Sequence, residues 1–292
     1  MKKIALLFLL IPAFTFAQRT LLEQKINSIT KNKKATIAVS ALGFENNLEY
    51  NKNGAEKLPM QSVFKFHIAA TVLNLVDKGK LSLDQKILLN KSNLLENTWS
   101  PLRDKYKDTN AKVPISEIID KTVAMSDNNG CDILLRLIGG TATVQKFMDA
   151  KGVKDFQIKF NEEEMHKDWN VQYQNYSTTN SAVGVLKKFY DGKLLSKKST
   201  DYLMKVMLGT KTGLNKIIEQ LPENTPVARK TGSSGKNKNG LTGAENEVGI
   251  VTLPNGKHYA IAVFVSNSME TDAVNCRVIS DISKAVYDYF NK

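Results

Sequence analysis

Cysteine and histidine are scarce in this chain, and long apolar runs are missing beyond its first residues. The 292 residues include 2 cysteines and 3 histidines. His67, His166 and His258 are scattered, with no ligand spacing, so neither a metal centre nor any other cofactor is expected. Cys131 and Cys276 fall in segments that read as helical, and two free, core-packed thiols are expected, although spacing cannot exclude a pair. No later segment approaches the roughly 20 apolar residues of a membrane span. Acidic residues are also short, 29 against 41 basic ones, for a formal charge of +12. The lysines occur in scattered pairs such as Lys33-Lys34, Lys187-Lys188 and Lys197-Lys198 rather than in a stripe interleaved with aromatics. That pattern reads as a solvated basic surface, which can help an anionic small substrate approach. No nucleic-acid partner is expected.

The first residues are of a different kind. Lys2-Lys3 precede an apolar run from Ile4 to Ile11, and Thr15-Phe16-Ala17 ends in a small residue. Residues 1–17 read as a cleaved secretory signal, with Gln18 opening the mature chain and a periplasmic or secreted location. No cysteine near that point offers a lipid anchor. Leu21, Leu22, Ile26 and Ile29 then recur at helical spacing. Thr36–Leu42 and Leu48–Asn51 read as strands, and Val63–Val76, apolar on nearly every face, as a helix buried mid-molecule. A mostly helical, loop-rich stretch follows to about Leu208. Two strand-like runs joined at Asn255-Gly256 form a hairpin signal, and a helix from about Ala273 to Phe290 closes the chain. No repeat or low-complexity linker interrupts it. Strands at both ends with helices between imply a sheet that gathers both termini plus an inserted helical lobe, with a cleft between them.

Four short motifs carry the chemistry. In Ser62-Val63-Phe64-Lys65, positions i and i+3 of a helix share a face, so the lysine amine can reach the serine hydroxyl and take its proton. Ser28–Lys31 and Ser233–Lys236 have the same spacing, but only Ser62 adjoins an apolar helix that would hold the lysine out of water. Ser126-Asp127-Asn128 is by itself no more than a helix cap. Glu162-Glu163-Glu164 alone would be a solvated loop. Lys-Thr-Gly occurs twice, at Lys211 and at Lys230. The first copy precedes Leu214, Ile217, Ile218 and Leu221 and is expected in a turn leading to a short helix, away from any reacting bond. The second ends the extended run of residues 225–230 and is expected along a sheet edge facing the cleft.

In this order the four motifs are those of the penicillin-recognising serine enzymes. Over its whole mature length the chain resembles class A serine β-lactamases, and among them the extended-spectrum PER-type branch. The resemblance implies an α+β fold: an antiparallel five-stranded sheet flanked by helices (about 18–58 and 208–292) and an all-helical lobe (about 59–207). It implies a monomer that hydrolyses penicillins and cephalosporins through an acyl-enzyme, giving antibiotic resistance. In that likeness Ser62 is the nucleophile, and Lys65 takes part in removing its proton. Ser126 protonates the leaving ring nitrogen, and Glu162 activates the deacylating water. The backbone N–H groups of Ser62 and Ser233 form the oxyanion hole. Asn128 holds the substrate's side-chain amide, while Lys230, Thr231 and Ser233 bind its carboxylate. Lys216 and Arg277 are further candidate cations for that carboxylate.

Two positions depart from the usual family pattern in the way the PER-type branch does. His166 and Asp132 each stand where asparagine is common, and they are expected to hydrogen-bond to each other and reshape the acidic loop. Ala69 occupies one position of a disulfide that many relatives have. Two other functions use similar motifs: a D-alanyl-D-alanine peptidase acting on peptidoglycan, and a non-catalytic antibiotic sensor. Both would stay acylated, and Glu162 in a fitting loop argues for turnover instead. The absence of a membrane span argues against a tethered sensor.

Overall fold

The computed structural model describes residues 5–107 and 110–292; the first four residues of the expected signal lie outside this range. The chain opens with α1 (Ala5–Thr30), followed by strands β1 (Thr36–Gly43) and β2 (Glu49–Lys52). Eight helices come next: α2 (Phe64–Asp77), α3 (Pro101–Tyr106), α4 (Ile115–Ala124), α5 (Asn128–Ile138), α6 (Thr141–Ala150), α7 (Glu162–Lys167), α8 (Thr179–Tyr190) and α9 (Lys197–Leu208). Strands β3 (Val227–Ser233), β4 (Thr242–Thr252) and β5 (His258–Ser268) return the chain to the sheet, and α10 (Asp272–Phe290) ends it.

The sheet has the order β2-β1-β5-β4-β3, every neighbouring pair antiparallel. This is the expected five-stranded α+β architecture, and β3 forms one edge. Period-two alternation divides its central strands between two cores. Ile37 and Val39 of β1, with Tyr259, Ile261 and Val263 of β5, face Leu22 and Ile26 of α1 and Val278, Ile279 and Ile282 of α10. Their neighbours Ala38, Ala260, Ala262 and Phe264 face the helical lobe. Small alanines there let α8 lie close, and Ser40 Oγ shares a 2.8 Å hydrogen bond with Thr179 Oγ1 at its start.

Inside the helical lobe α2 is buried from Phe64 through Leu73 without interruption, which is why its sequence shows no polar face. Cys131 on α5 and Cys276 on α10 are buried free thiols. Two local expectations differ from the structure. The acidic run opens the short helix α7, because Asn161 caps it and exchanges hydrogen bonds with Glu164. The segment 214–221 is a run of turns rather than a helix: Ile217 is buried but Leu214 is 62 % exposed, so its apolar residues serve opposite surroundings.

Candidate active site

Ser62 sits in a single 3-10 turn, Gln61–Val63, that leads into α2. Gln61 takes a left-handed φ of 48°, uncommon without a glycine, and its amide donates to Gln172 Oε1 at 2.8 Å. From the first turn of α2, buried Lys65 reaches back to donate to Ser62 Oγ at 2.9 Å. The same Nζ lies 2.9 Å from Ser126 O, 2.5 Å from Asn128 Oδ1 and 2.8 Å from Glu162 Oε1. Four oxygens thus compete for at most three N–H groups. Glu162 Oε1 is also 3.4 Å from Ser62 Oγ. Ser62, Lys65 and Glu162 therefore form one hydrogen-bonded cluster, in which Lys65 donates to Ser62 Oγ and the Glu162 carboxylate is the acceptor facing the Ser62 proton.

The corner at 126–128 comes from the buried carboxylate between its two working residues. Asp127 Oδ1 accepts from Gly130 N (2.8 Å) and Ser100 Oγ (2.9 Å), and Oδ2 accepts from Leu102 N (2.5 Å). Burial pushes the Asp127 pKa up against these bonds. The cap role is real for Asp127, and by fixing the start of α5 it fixes Ser126, with φ 60°, and Asn128 on either side. Ser126 Oγ accepts from Lys230 Nζ at 2.9 Å. Lys230 is fully buried, and no carboxylate pairs with it among the described residues. Burial, then the positive charges of Lys65 and Lys216, pushes its pKa well below the usual lysine value. An arriving anion would reverse that shift.

Strand β3 can approach Ser62 because of Gly232. A Cβ there would stand 2.4 Å from Met60 O and 3.2 Å from Ser62 N, so only glycine lets the edge strand lie against the turn. That closeness brings Ser233 to the cleft, where its Oγ donates to Glu245 Oε2 at 2.9 Å. Lys216 is paired with the same Glu245 and buried, so its charge is already shared within the wall. Arg277 is paired with Asp281 on the surface of α10 at 2.9 Å, outside the cluster.

Asp132 and His166 are not joined by a hydrogen bond. Asp132 accepts from Glu162 N at 2.9 Å and from Glu163 N at 3.0 Å. Its carboxylate thus holds the positive N-terminal end of α7, whereas His166 sits one turn further on and is exposed. Burial raises the Asp132 pKa to about 6, and the Glu162 charge adds to this while the two N–H groups oppose it. The same surroundings push the Cys131 thiol well up, burial first, which leaves it unreactive.

Ser62, Asn128, Glu162 and Ser233 line one cavity of about 170 Å³, and Trp169 and His166 form part of its wall. A second cavity of about 230 Å³ lies between residues 95–98 and α7 and shares Thr98, Asn128, Glu162 and His166 with the first. Thr98 accepts from Asn128 Nδ2 at 2.7 Å. Neither Thr98 nor Gln172 carries a sequence signal, since Thr98 meets the site from a loop and Gln172 from the short 3-10 helix Trp169–Gln174. The first Lys-Thr-Gly lies nearer than expected: Thr212 Oγ1 is 2.8 Å from Thr231 Oγ1.

Comparison with known proteins agrees with this geometry. A family model described as the β-lactamase enzyme family matches residues 21–290. The chain is 47 % identical to β-lactamase VEB-1 of Pseudomonas aeruginosa, covering 95 % of this chain and 93 % of that protein. It is 40 % identical to the extended-spectrum β-lactamase PER-1 of the same organism, over 94 % and 89 %. The crystal structure of the TLA-3 extended-spectrum β-lactamase superposes with a TM-score of 0.92 at 50 % identity, over 94 % of this chain and 99 % of that one. With a serine, a lysine and a glutamate gathered at one point of this fold, the chain belongs to the class A β-lactamases.

Proposed function

We propose that this β-lactamase opens penicillins and cephalosporins, extended-spectrum cephalosporins included, through an acyl-enzyme on Ser62. The observation that carries this reading is Glu162 Oε1, 2.8 Å from Lys65 Nζ and 3.4 Å from Ser62 Oγ. In acylation the Ser62 proton passes to the Lys65–Glu162 pair as Oγ bonds to the β-lactam carbonyl carbon. The ring C–N bond then breaks, and its nitrogen takes the hydroxyl proton of Ser126, whose Oγ Lys230 holds at 2.9 Å. Ser126 regains a proton from the Lys65–Glu162 pair, which leaves Glu162 ionised for deacylation. The carbonyl oxygen gathers negative charge, for which the Ser62 and Ser233 N–H groups are the donors. In deacylation Glu162 takes a proton from water, the hydroxide adds to the ester carbon, and Ser62 Oγ leaves with a proton from the cluster.

Asn128 would receive the substrate's side-chain amide, and Lys230, Thr231 and Ser233 its carboxylate. The extended-spectrum reading draws on the printed names of the PER-1 and TLA-3 relatives. The Lys2-Lys3 start, the apolar run and Ala17 support removal of residues 1–17 and export to the periplasm or beyond. No helix among the described residues is long and apolar enough to cross a membrane. We take the exported chain to act as a monomer.

The test uses a chromogenic cephalosporin and a Glu162→Gln variant. The parent protein is expected to turn over many equivalents, while the variant accumulates a mass adduct on Ser62. Stoichiometric acylation without turnover by the parent would favour the peptidase chemistry instead.

A further inference from the structure

The two Lys-Thr-Gly copies touch each other. Thr212 Oγ1 and Thr231 Oγ1 lie 2.8 Å apart. Gly213, with φ of 64°, makes that approach possible, since a Cβ there would stand 2.5 Å from Thr231 Cγ2. The segment is pinned as well as close. Arg229 Nη1 donates to Thr212 O at 2.5 Å and Gly213 O at 3.3 Å, and Nη2 donates to Thr210 O at 3.1 Å. Arg229 is held in turn by Glu247 at 2.6 Å, which also accepts from Ile217 N at 2.7 Å. Thr210 Oγ1 donates back to Arg229 O at 2.8 Å, and Lys211 N donates to Ala124 O. A buried ion pair therefore spends its hydrogen bonds on fixing one short turn against β3.

We propose that Thr212 is a positioning residue, whose hydroxyl donates to Thr231 Oγ1 and so turns the Thr231 proton outward to the carboxylate of the β-lactam. This rests on reading Lys230, Thr231 and Ser233 as the carboxylate wall. A hydroxyl has one proton to give. Two facing hydroxyls without an anion can share their bond in either direction. Once Thr231 donates to a carboxylate, its oxygen accepts from Thr212, and the two bonds polarise each other in one sense. The residues that a motif search sets aside as a lookalike thus fix the donor direction of the copy that binds.

The experiment compares one cephalosporin as its free acid and as its neutral methyl ester, with Thr212→Val, Thr212→Ser and Thr231→Val variants. For the acid, Thr212→Val is expected to lower kcat/KM about threefold to tenfold, the scale of one hydrogen bond, through KM. Its kcat on the acid and both parameters on the ester should stay within about twofold, and Thr212→Ser should restore the acid. An equal loss on acid and ester, or no loss on the acid, overturns the inference. If Thr231→Val distinguishes acid from ester while Thr212→Val does not, the inference alone fails. If Thr231→Val treats the two substrates alike, the carboxylate wall is wrong and the inference falls with it.

Discussion

Two positions beyond Lys65, His67 is 2 % exposed and stacked on Phe156 with ring centroids 4.4 Å apart. Burial holds its pKa down at about 3, although the Val63 and Phe64 carbonyls oppose the shift. Neither ring nitrogen makes a hydrogen bond of good geometry. The unfolded chain takes up a proton at this residue below about pH 6.5, whereas the fold keeps it neutral. The neutral ring's contribution is therefore present above pH 6.5 and is lost as pH falls towards about 3, at up to about 1.4 kcal/mol per pH unit. Urea unfolding of the parent and a His67→Phe variant at pH 7 and pH 5 should show the parent losing about 2 kcal/mol more than the variant. Equal losses would place the acid sensitivity elsewhere. The sequence places His67 inside the apolar run Val63–Val76, which reads as buried, but does not show that its ring stacks on Phe156. Ser62 and Lys65 are legible because positions i and i+3 of a helix share a face, whereas Ser126 is read only through the family resemblance, since its triplet alone is a helix cap. Thr212 meets Thr231 from a distant turn, and a tripeptide does not announce such a contact. Asp132 is singled out through the resemblance, but its partners are the Glu162 and Glu163 N–H groups rather than His166.

At the scale of elements, α7 shows how a six-residue helix can hold the proposed general base, Glu162, steady. Asn161 closes its first turn from within, and Asp132 holds the Glu162 and Glu163 N–H groups from α5. Removing the second support should leave the protein folded, since lost caps cost about 0.5–2 kcal/mol. Glu162, however, would lose its alignment. Asp132→Ala is expected to slow deacylation about tenfold or more, with acyl-enzyme building up in mass spectra while acylation changes little. Retained steady-state turnover without a trapped adduct would show that Asn161 alone suffices. His166→Asn, by contrast, should leave α7 in place and change stability in urea unfolding by less than about 0.5 kcal/mol, because His166 is exposed and no hydrogen bond ties it to Asp132. The first helix is readable from periodicity, α2 from its apolar run and the hairpin from Asn255-Gly256, while α3 to α9 are foreseen only as a mostly helical stretch. The acidic run and the 214–221 turns are not readable in this way. In the first a capping box outweighs polar composition, and in the second buried charges impose a path that apolar spacing does not describe.

The whole molecule is a sheet covered on both faces, with its chemistry on one side only. The helical lobe and β3 make the cleft, while α1 and α10 cover the far face. On that face the described side chains of α1 buried in the core are Leu22 and Ile26, both beyond the proposed cleavage point at residue 17. Chains beginning at Gln18 keep both of these contacts. A chain beginning at Thr36 would uncover Val278, Ile279 and Ile282 and lose about 3–6 kcal/mol from Leu22 and Ile26 alone. Thermal unfolding of the two truncations checks this; equal midpoints would mean that α1 contributes nothing. The sheet lobe was foreseeable because its strands lie at both ends of the sequence, but the cleft's two adjoining cavities depend on loop paths that no pattern encodes. Leu22 and Ile26 share one core with Tyr289 and Phe290, so the proposed start of the mature chain lies near its end on the face away from the cleft. A short linker could therefore join them, and the chain could be reopened at the Asn255-Gly256 turn. The order of the sequence would change, while the serine, the lysine and the glutamate would keep their places.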